Sequence, residues 1–140
     1  MRVESFKPYH VDLLRAQGVQ GAQIAEVSLV LPGTIIRPDG PAVTAFDGDR
    51  ILICGGIARI TADNGVCWAL LSAQAGRHMT WLHFAVKRFL TINPWRRLEA
   101  TVEENFKDGC RWVELLGFAY EGKMLKYGPN GENHLRYSRT

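Results

Sequence analysis

The 140-residue sequence has no long apolar run, no paired cysteines and no strong excess of charge. A membrane-spanning helix needs about 20 consecutive apolar residues, but the longest apolar runs here are interrupted by Arg59, by Lys87-Arg88 or by glycines. The segment Met1–Pro8 also lacks the hydrophobic core of a signal peptide. These absences predict a cytoplasmic protein with no membrane partner.

Cysteine and histidine are too scattered for a disulfide framework or a metal site. Cys54, Cys67 and Cys110 are odd in number and include no Cys-x-x-Cys pair, so we expect them to be small core residues. The four histidines show no zinc-ligand spacing, and no metal is predicted. The net charge of +3 is too small for the dense basic face of a nucleic-acid binder.

What the sequence does contain is the composition of a globular protein, with 46% hydrophobic and 22% charged residues. The length predicts a single domain over residues 1–140. Its N-terminal part, residues 1–40, shows two stretches with helical spacing of apolar residues, Val11–Ala16 and Ala22–Val30. A core of strands and helices is predicted over residues 42–137.

Strand signals dominate the first half of that core. Ala42–Phe46 and Ile51–Ile60 are extended runs joined by Asp47–Arg50, where glycine after aspartate suits the positive φ of a tight hairpin turn. The next run, Val66–Leu71, is apolar on both faces. This pattern is typical of a central strand that helices cover on both sides.

Helix and strand alternate in the second half. The apolar stripe over Arg77–Leu90 predicts a helix that Asn93-Pro94 ends, and Leu98–Glu103 alternates as a half-covered strand does. Asn105 is the predicted N-cap of a further helix that ends at Gly117. The runs Phe118–Tyr127 and Leu135–Tyr137 then flank a Gly-Pro-Asn-Gly turn and predict a closing hairpin.

This element order, together with Leu115-Leu116-Gly117-Phe118, resembles the Gcn5-related N-acetyltransferases (GNAT) over roughly Val43–Tyr137. The resemblance implies an α/β (α+β) domain. Its central sheet is expected to be mixed and mostly antiparallel, with helices on both faces and a closing C-terminal β-hairpin. Gly55-Gly56 after an apolar strand and the tryptophan-bearing strand at Trp68 are similar to a tailed-phage branch, which includes podovirus internal virion and virion-assembly proteins.

The resemblance also implies a cofactor loop. Members of the family hold the pyrophosphate of acetyl-CoA on a loop with the pattern Gln/Arg-x-x-Gly-x-Gly/Ala, at the start of a helix. The matching segment gives these residues as acetyl-CoA contacts: Leu71, Gln74, Ala75, Gly76, Arg77 and His78. Arg77 and Met79 replace the two motif glycines and hinder close backbone approach, although Arg77 can still contact a phosphate.

Acyl transfer to an amine needs a group that takes a proton from the attacking nitrogen, and the resemblance implies a glutamate acting through water. Glu99 and Glu103, on the strand that would border the substrate cleft, are the predicted candidates, with His78 and His83 as alternatives. The competing interpretation is that both glutamates form the solvated face of that strand and that His83 is packed. The family's proton-donating tyrosine is replaced by Val113, which leaves Tyr120 nearby in the sequence as the third predicted catalytic residue.

Two functions follow from the resemblance. One is an acyl-CoA-dependent N-acyltransferase that transfers an acetyl group to an amine, with a degenerate cofactor loop. The other is a non-catalytic GNAT-like phage protein that acts in virion assembly or host interaction through contacts with phage structural proteins, in the host cytoplasm or the virion. A homo-oligomer and a binder of some other small molecule or peptide are left open.

Overall fold

The computed structural model describes residues 1–17, 25–26 and 40–140, which form one sheet with helices on both faces. The strands are β1 (Arg2–Ser5), β2 (Ala25–Glu26), β3 (Ala42–Asp47), β4 (Arg50–Arg59), β5 (Asn64–Leu71), β6 (Arg97–Glu103), β7 (Ala119–Met124) and β8 (His134–Arg139). The helices are α1 (Tyr9–Gln17), α2 (Met79–Ile92) and α3 (Lys107–Leu115), and a 3₁₀ helix, Ala73–His78, leads into α2.

The strands are ordered β1-β3-β4-β5-β6-β8-β7, with the short β2 added to β5. Within the described residues β5 and β6 are the only parallel neighbours, and every other pair is antiparallel. A mixed, mostly antiparallel sheet with a C-terminal β7–β8 hairpin is what the sequence predicted. The predicted fold class is confirmed.

The parallel pair separates soon after it forms. β6 pairs with β5 only from Asn64 to Val66, and β2 pairs with β5 only at Leu70 and Leu71. Because β4 occupies the other edge of β5 along almost its whole length, β2 and β6 lie on the same edge. The stretch of β5 between them, residues 67–69, has no strand partner on that edge among the described residues. We call this opening between β5 and β6 the fork.

The two faces of the sheet carry separate apolar clusters. On one face, α1 contributes Val11 and Leu14, which pack with Phe46, Ile51 and Trp68. On the other face, α2 and α3 cover a larger cluster, whose fully buried members include these residues: Leu52, Ile57, Leu82, Val102 and Val113. Burial on both faces explains why β5 is apolar from Val66 to Leu71 rather than alternating.

Glycine determines where α3 ends. Gly117 adopts a φ of 95°, its N–H donates to the carbonyl oxygen of Glu114 at 3.0 Å, and the N–H of Phe118 donates to that of Val113 at 3.1 Å. These two bonds form a Schellman C-cap, which needs the left-handed conformation that glycine adopts without strain. Phe118 is then buried in the core, as the Leu-Gly-Phe pattern predicted.

The N-terminal part differs from its prediction. The α1 helix confirms the predicted helix over Val11–Ala16, but Arg2–Ser5 form a strand on β3, so residues 1–40 are not purely helical. All four residues of β1 are exposed, which left no hydrophobic pattern to read. Ala25 and Glu26, inside the predicted helix Ala22–Val30, pair with β5 as a strand. The rest of that prediction lies outside the described residues.

Helix starts were also predicted too early. The α2 helix begins at Met79 rather than at Arg77, because the 3₁₀ turns of Ala73–His78 come first. The predicted N-cap Asn105 is wrong: α3 begins at Lys107, and its N-cap is Phe106, which makes no side-chain capping bond. An apolar residue at the cap signals a helix start that packing determines rather than hydrogen bonding.

We predict that Gly56→Ala destabilises the fold by about 1–3 kcal/mol. A Cβ at this position would lie 2.6 Å from the Cβ of Ala42 and 2.6 Å from the carbonyl oxygen of Pro41, so backbone would have to move. The matched control is Gly76→Ala, whose Cβ would meet no atom within 4 Å. Urea unfolding of both variants provides the measurement, and equal midpoints would contradict the steric explanation.

Candidate functional site

The segment between β5 and α2 separates two cavities. A groove of about 670 Å³ runs between α2 and α3, and a second, polar cavity of about 520 Å³ lies beside the β3–β4 turn. Of the predicted cofactor contacts, Leu71, Ala75 and Gly76 line the groove. Gln74, Arg77 and His78, which were predicted to join them, line the polar cavity instead.

A contact between the side chains of His78 and Asp47 spans the polar cavity. The His78 Nε2 lies 3.3 Å from the Asp47 Oδ2, and Arg50 and Arg77 complete the charged part of the lining. The pairing ties the start of α2 to the β3–β4 hairpin. Arg77 and His78 therefore have surroundings of their own, separate from the groove.

Two polar groups on the groove lining have no hydrogen-bond partner among the residues that the structure describes. Ser72 and Trp112 are 6% and 7% exposed, and neither the Ser72 hydroxyl nor the Trp112 Nε1 makes a hydrogen bond. Buried donors without a partner are costly, so they commonly mark a site where a ligand or water supplies an acceptor. Both side chains line the groove, so an acceptor on a bound ligand is one partner that would satisfy them.

The charged residues of the groove come from α3, and the sequence analysis did not predict them as site residues. Arg111 and Asp108 lie on its lining, together with His83 and Thr80 of α2. Arg111 and Trp112 follow Ser72 by some 40 positions, and only the packing of α3 beside α2 brings them to the same groove. Spacing along the chain carries no signal of such a site, because no local motif spans it.

Glu99 is at the point where the sheet opens. It is the last residue of β6 that pairs with β5, opposite Val66. Its carboxylate is paired with Arg97 at 3.1 Å and with Arg136 at 3.6 Å, so the side chain is only 18% exposed. Alternation along β6 places Glu99 on the face opposite Ala100, which belongs to the cluster under α2 and α3.

The other two predicted catalytic residues lie further from the fork. Glu103 is the last residue of β6 and pairs with His134. Tyr120 is on β7, which β8 separates from β6, so two strand spacings, about 10 Å, lie between its backbone and that of β6. Its ring packs edge-on against Tyr137 with centroids 5.8 Å apart. Neither residue lines the groove or the polar cavity.

The cysteines have the character that the sequence suggested. Cys54 and Cys110 are buried, and Cys67 is half-buried. Burial raises the pKa of the Cys54 thiol to about 11 and that of Cys67 to about 12. Both side chains are therefore protonated at neutral pH and are poor nucleophiles. Val113, at the family's tyrosine position, is buried in the core.

Across residues 1–17, 25–26 and 40–140, no three His, Cys, Asp or Glu side chains come together as metal ligands. No helix in that part of the chain has both the length and the hydropathy required to span a bilayer.

Comparison with solved structures identifies the fold. An N-acetyltransferase from Staphylococcus aureus Mu50 superposes with a TM-score of 0.71 at 9% identity, covering 98% of this chain and 95% of its own. A GNAT-family acetyltransferase from Streptococcus pneumoniae gives 0.68 at 14% identity and covers 99% and 98%. The ribosomal-protein-S5-alanine acetyltransferase of Vibrio fischeri gives 0.68 at 15% identity and covers 98% and 91%.

These neighbours are N-acetyltransferases, and the chain has the GNAT fold. No protein-family model matches the sequence, and no curated protein matches it either. The likeness therefore lies in the backbone, while side chains have diverged at most positions. The groove between α2 and α3 has to be judged on its own residues.

The cluster around Arg97 gives a pH-dependent prediction. Hydrogen bonds from Arg97 and Ser138 lower the pKa of Glu121 from 4.5 to about 2. The folded-state pKa of Glu121 is below its ordinary value, so the ionised carboxylate stabilises the folded protein. This stabilisation is fully present above about pH 4.5 and is lost as the pH falls towards 2. We expect wild type to exceed Glu121→Gln in stability near neutral pH, with the difference shrinking in acid.

Urea unfolding of both proteins at several pH values measures that difference. Carboxylates outside this cluster titrate in both proteins and cancel in the subtraction. A difference that stays constant down to pH 2 would show that Arg97 does not stabilise the ionised Glu121.

Proposed function

We propose that this protein is an acyl-CoA-dependent N-acyltransferase that binds the acyl donor in the groove between α2 and α3. Acetyl-CoA or a related acyl-CoA would supply the acyl group as a thioester. An amine nitrogen attacks its carbonyl carbon, the C–N bond forms and the C–S bond breaks; the amine loses a proton, and the leaving thiolate takes one up. The observation that carries the proposal is the pair of unpartnered donors, Ser72 and Trp112, on the lining of this groove.

The groove suits the amide-rich, anionic structure of CoA. Ser72 and Trp112 can donate to carbonyl oxygens, and Arg111 supplies positive charge for phosphate. Leu71, Ala75 and Gly76 form an uncharged part of the groove lining. At Gly76 there is open space where a side chain would stand. Backbone N–H groups at the start of α2 can add to anion binding. These features support binding without the motif glycines that Arg77 and Met79 replace.

The acceptor amine would approach the fork from the face that carries Glu99. In this position the carboxylate, which also contacts Arg97 and Arg136, can attract an ammonium group and accept its proton through water. The structurally similar proteins are named as acetyltransferases, and the name of one of them gives the alanine of a ribosomal protein as its acceptor. Glu103 and Tyr120 are kept as predicted catalytic residues that mutation must test.

One observation favours the non-catalytic alternative. Val113 is buried in the core at the position where the resemblance places a proton-donating tyrosine. Within the described residues, no tyrosine lines the groove. A GNAT-like protein that has lost catalysis could use the same fold for protein–protein contacts, for example in phage virion assembly. That more specific role rests on sequence resemblance alone.

Calorimetric titration of CoA and acetyl-CoA into the purified protein tests the donor site. We expect binding to the wild type, and we expect Arg111→Glu to weaken it at least about tenfold because a charge-assisted bond to phosphate is lost. The matched charge reversal is Arg77→Glu in the polar cavity, for which we expect little change. If Arg77→Glu weakened binding and Arg111→Glu did not, the phosphates would lie on the loop predicted from the sequence instead.

Absence of heat with either ligand, in a protein with a cooperative urea transition, would contradict the acyltransferase proposal. If the ligands bind, release of free thiol from acetyl-CoA in the presence of a polyamine or an N-terminal alanine peptide tests turnover. Glu99→Gln should lower kcat and leave the KM for acetyl-CoA nearly unchanged, since the carboxylate acts on the amine and not on the donor. Binding without any turnover across both acceptors would favour the non-catalytic alternative.

A further inference from the structure

A third cavity, almost entirely apolar, lies between α2 and the sheet. Its volume is about 470 Å³, within the range of small-molecule sites. The sheet side is formed by residues of β3, β4 and β5, and the helix side by Trp81, Ala85, Val86 and Phe89. Arg88, exposed at its rim, is the one charged residue on the described lining. The acyl-CoA site proposed above assigns no ligand to this cavity.

The cavity exists because one row across the sheet consists of small side chains. Val43, Gly55 and Ala69 are partners in register on β3, β4 and β5, and all three line the cavity. Above this row α2 buries only Leu82 and Leu90 fully. Val86 and Phe89, which line the cavity, are only half-buried.

This cavity adjoins the proposed donor site. Phe84 and Trp112 line both the apolar cavity and the groove between α2 and α3. The cavity also reaches the fork, since Cys67 and Ala69 of the unpaired stretch of β5 and Ala100 of β6 are on its lining. A thioester held in the groove with its carbonyl at the fork would therefore have an apolar space directly ahead of its acyl carbon.

We propose that this cavity binds the hydrocarbon chain of the acyl donor, so that the preferred substrate is a medium-chain acyl-CoA rather than acetyl-CoA. The inference rests on the proposed function and specifies its donor. An acetyl group would leave most of the space empty, and an open apolar surface of this kind is unfavourable in water. The cavity extends inward to core residues Leu82 and Leu116, so its occupant must be slender and flexible, as an alkyl chain is.

Titration of three ligands into the wild-type protein tests the proposal: CoA, acetyl-CoA and decanoyl-CoA. Each buried methylene adds roughly fourfold in affinity, and partial burial with chain ordering reduces that gain. We expect decanoyl-CoA to bind at least about 100-fold more tightly than acetyl-CoA. Equal binding of the two thioesters would overturn this inference and leave the acyltransferase proposal standing.

Failure of all three ligands would instead overturn the donor site and the chain site together. Titration of free decanoate separates the cavity from the groove. If decanoate binds while every CoA ligand fails, the cavity takes apolar ligands but not the chain of a thioester, which also contradicts the proposal. Work below the critical micelle concentration keeps detergent-like effects of decanoyl-CoA out of the comparison.

Variants that fill the cavity provide the second measurement. Ala69→Leu fills it from the sheet and Ala85→Leu from α2, whereas Ala119→Leu adds the same atoms at an exposed position on β7, outside the cavity. We expect the first two to remove most of the preference for decanoyl-CoA while acetyl-CoA binding is retained, and the third to retain the preference. Undiminished preference in both filled variants would contradict the assignment. If the filled variants do not fold, the ligand series on the wild type decides.

Discussion

The separation of β5 from β6 is the constraint on which the rest of this structure depends. Parallel pairing holds only from Asn64 to Val66, and β2 then occupies the same edge at Leu70 and Leu71. Backbone polar groups left between these two pairings must find partners, because unpaired peptide groups away from water are costly. The fork is therefore the place in the sheet where a bound molecule can complete the hydrogen bonding of the chain.

The helices are arranged around this opening. The α2 helix follows β5 through the 3₁₀ turns, and α3 follows β6, so the two strands that separate each lead to one wall of the groove. The groove and the fork are consequently products of a single topological feature. This also explains why the side chains that converge there, such as Ser72 and Trp112, come from distant parts of the sequence.

Much of the fold could be predicted from the sequence, because hydrophobic periodicity and turn residues mark its central elements. The β3–β4 hairpin, the apolar β5 and the glycine that ends α3 are examples, and each has a local cause. The exposed β1 could not be predicted, since its four residues bury nothing that periodicity could reveal. The start of α3 was placed at Asn105 because capping chemistry suggested it, whereas packing of Phe106 determines it.

The arrangement of the predicted site residues follows less directly from the sequence, for a physical reason. The loop motif placed Gln74, Arg77 and His78 with Gly76, but successive residues of a 3₁₀ helix point in different directions, and the structure divides them between two cavities. The row Val43, Gly55 and Ala69 belongs to the sheet, whereas Arg111 and Trp112 belong to α3. Under the proposed assignment, the acyl chain and the nucleotide are recognised by separate elements, so substitutions in the sheet would alter the length of the transferred group without disturbing how the carrier is held.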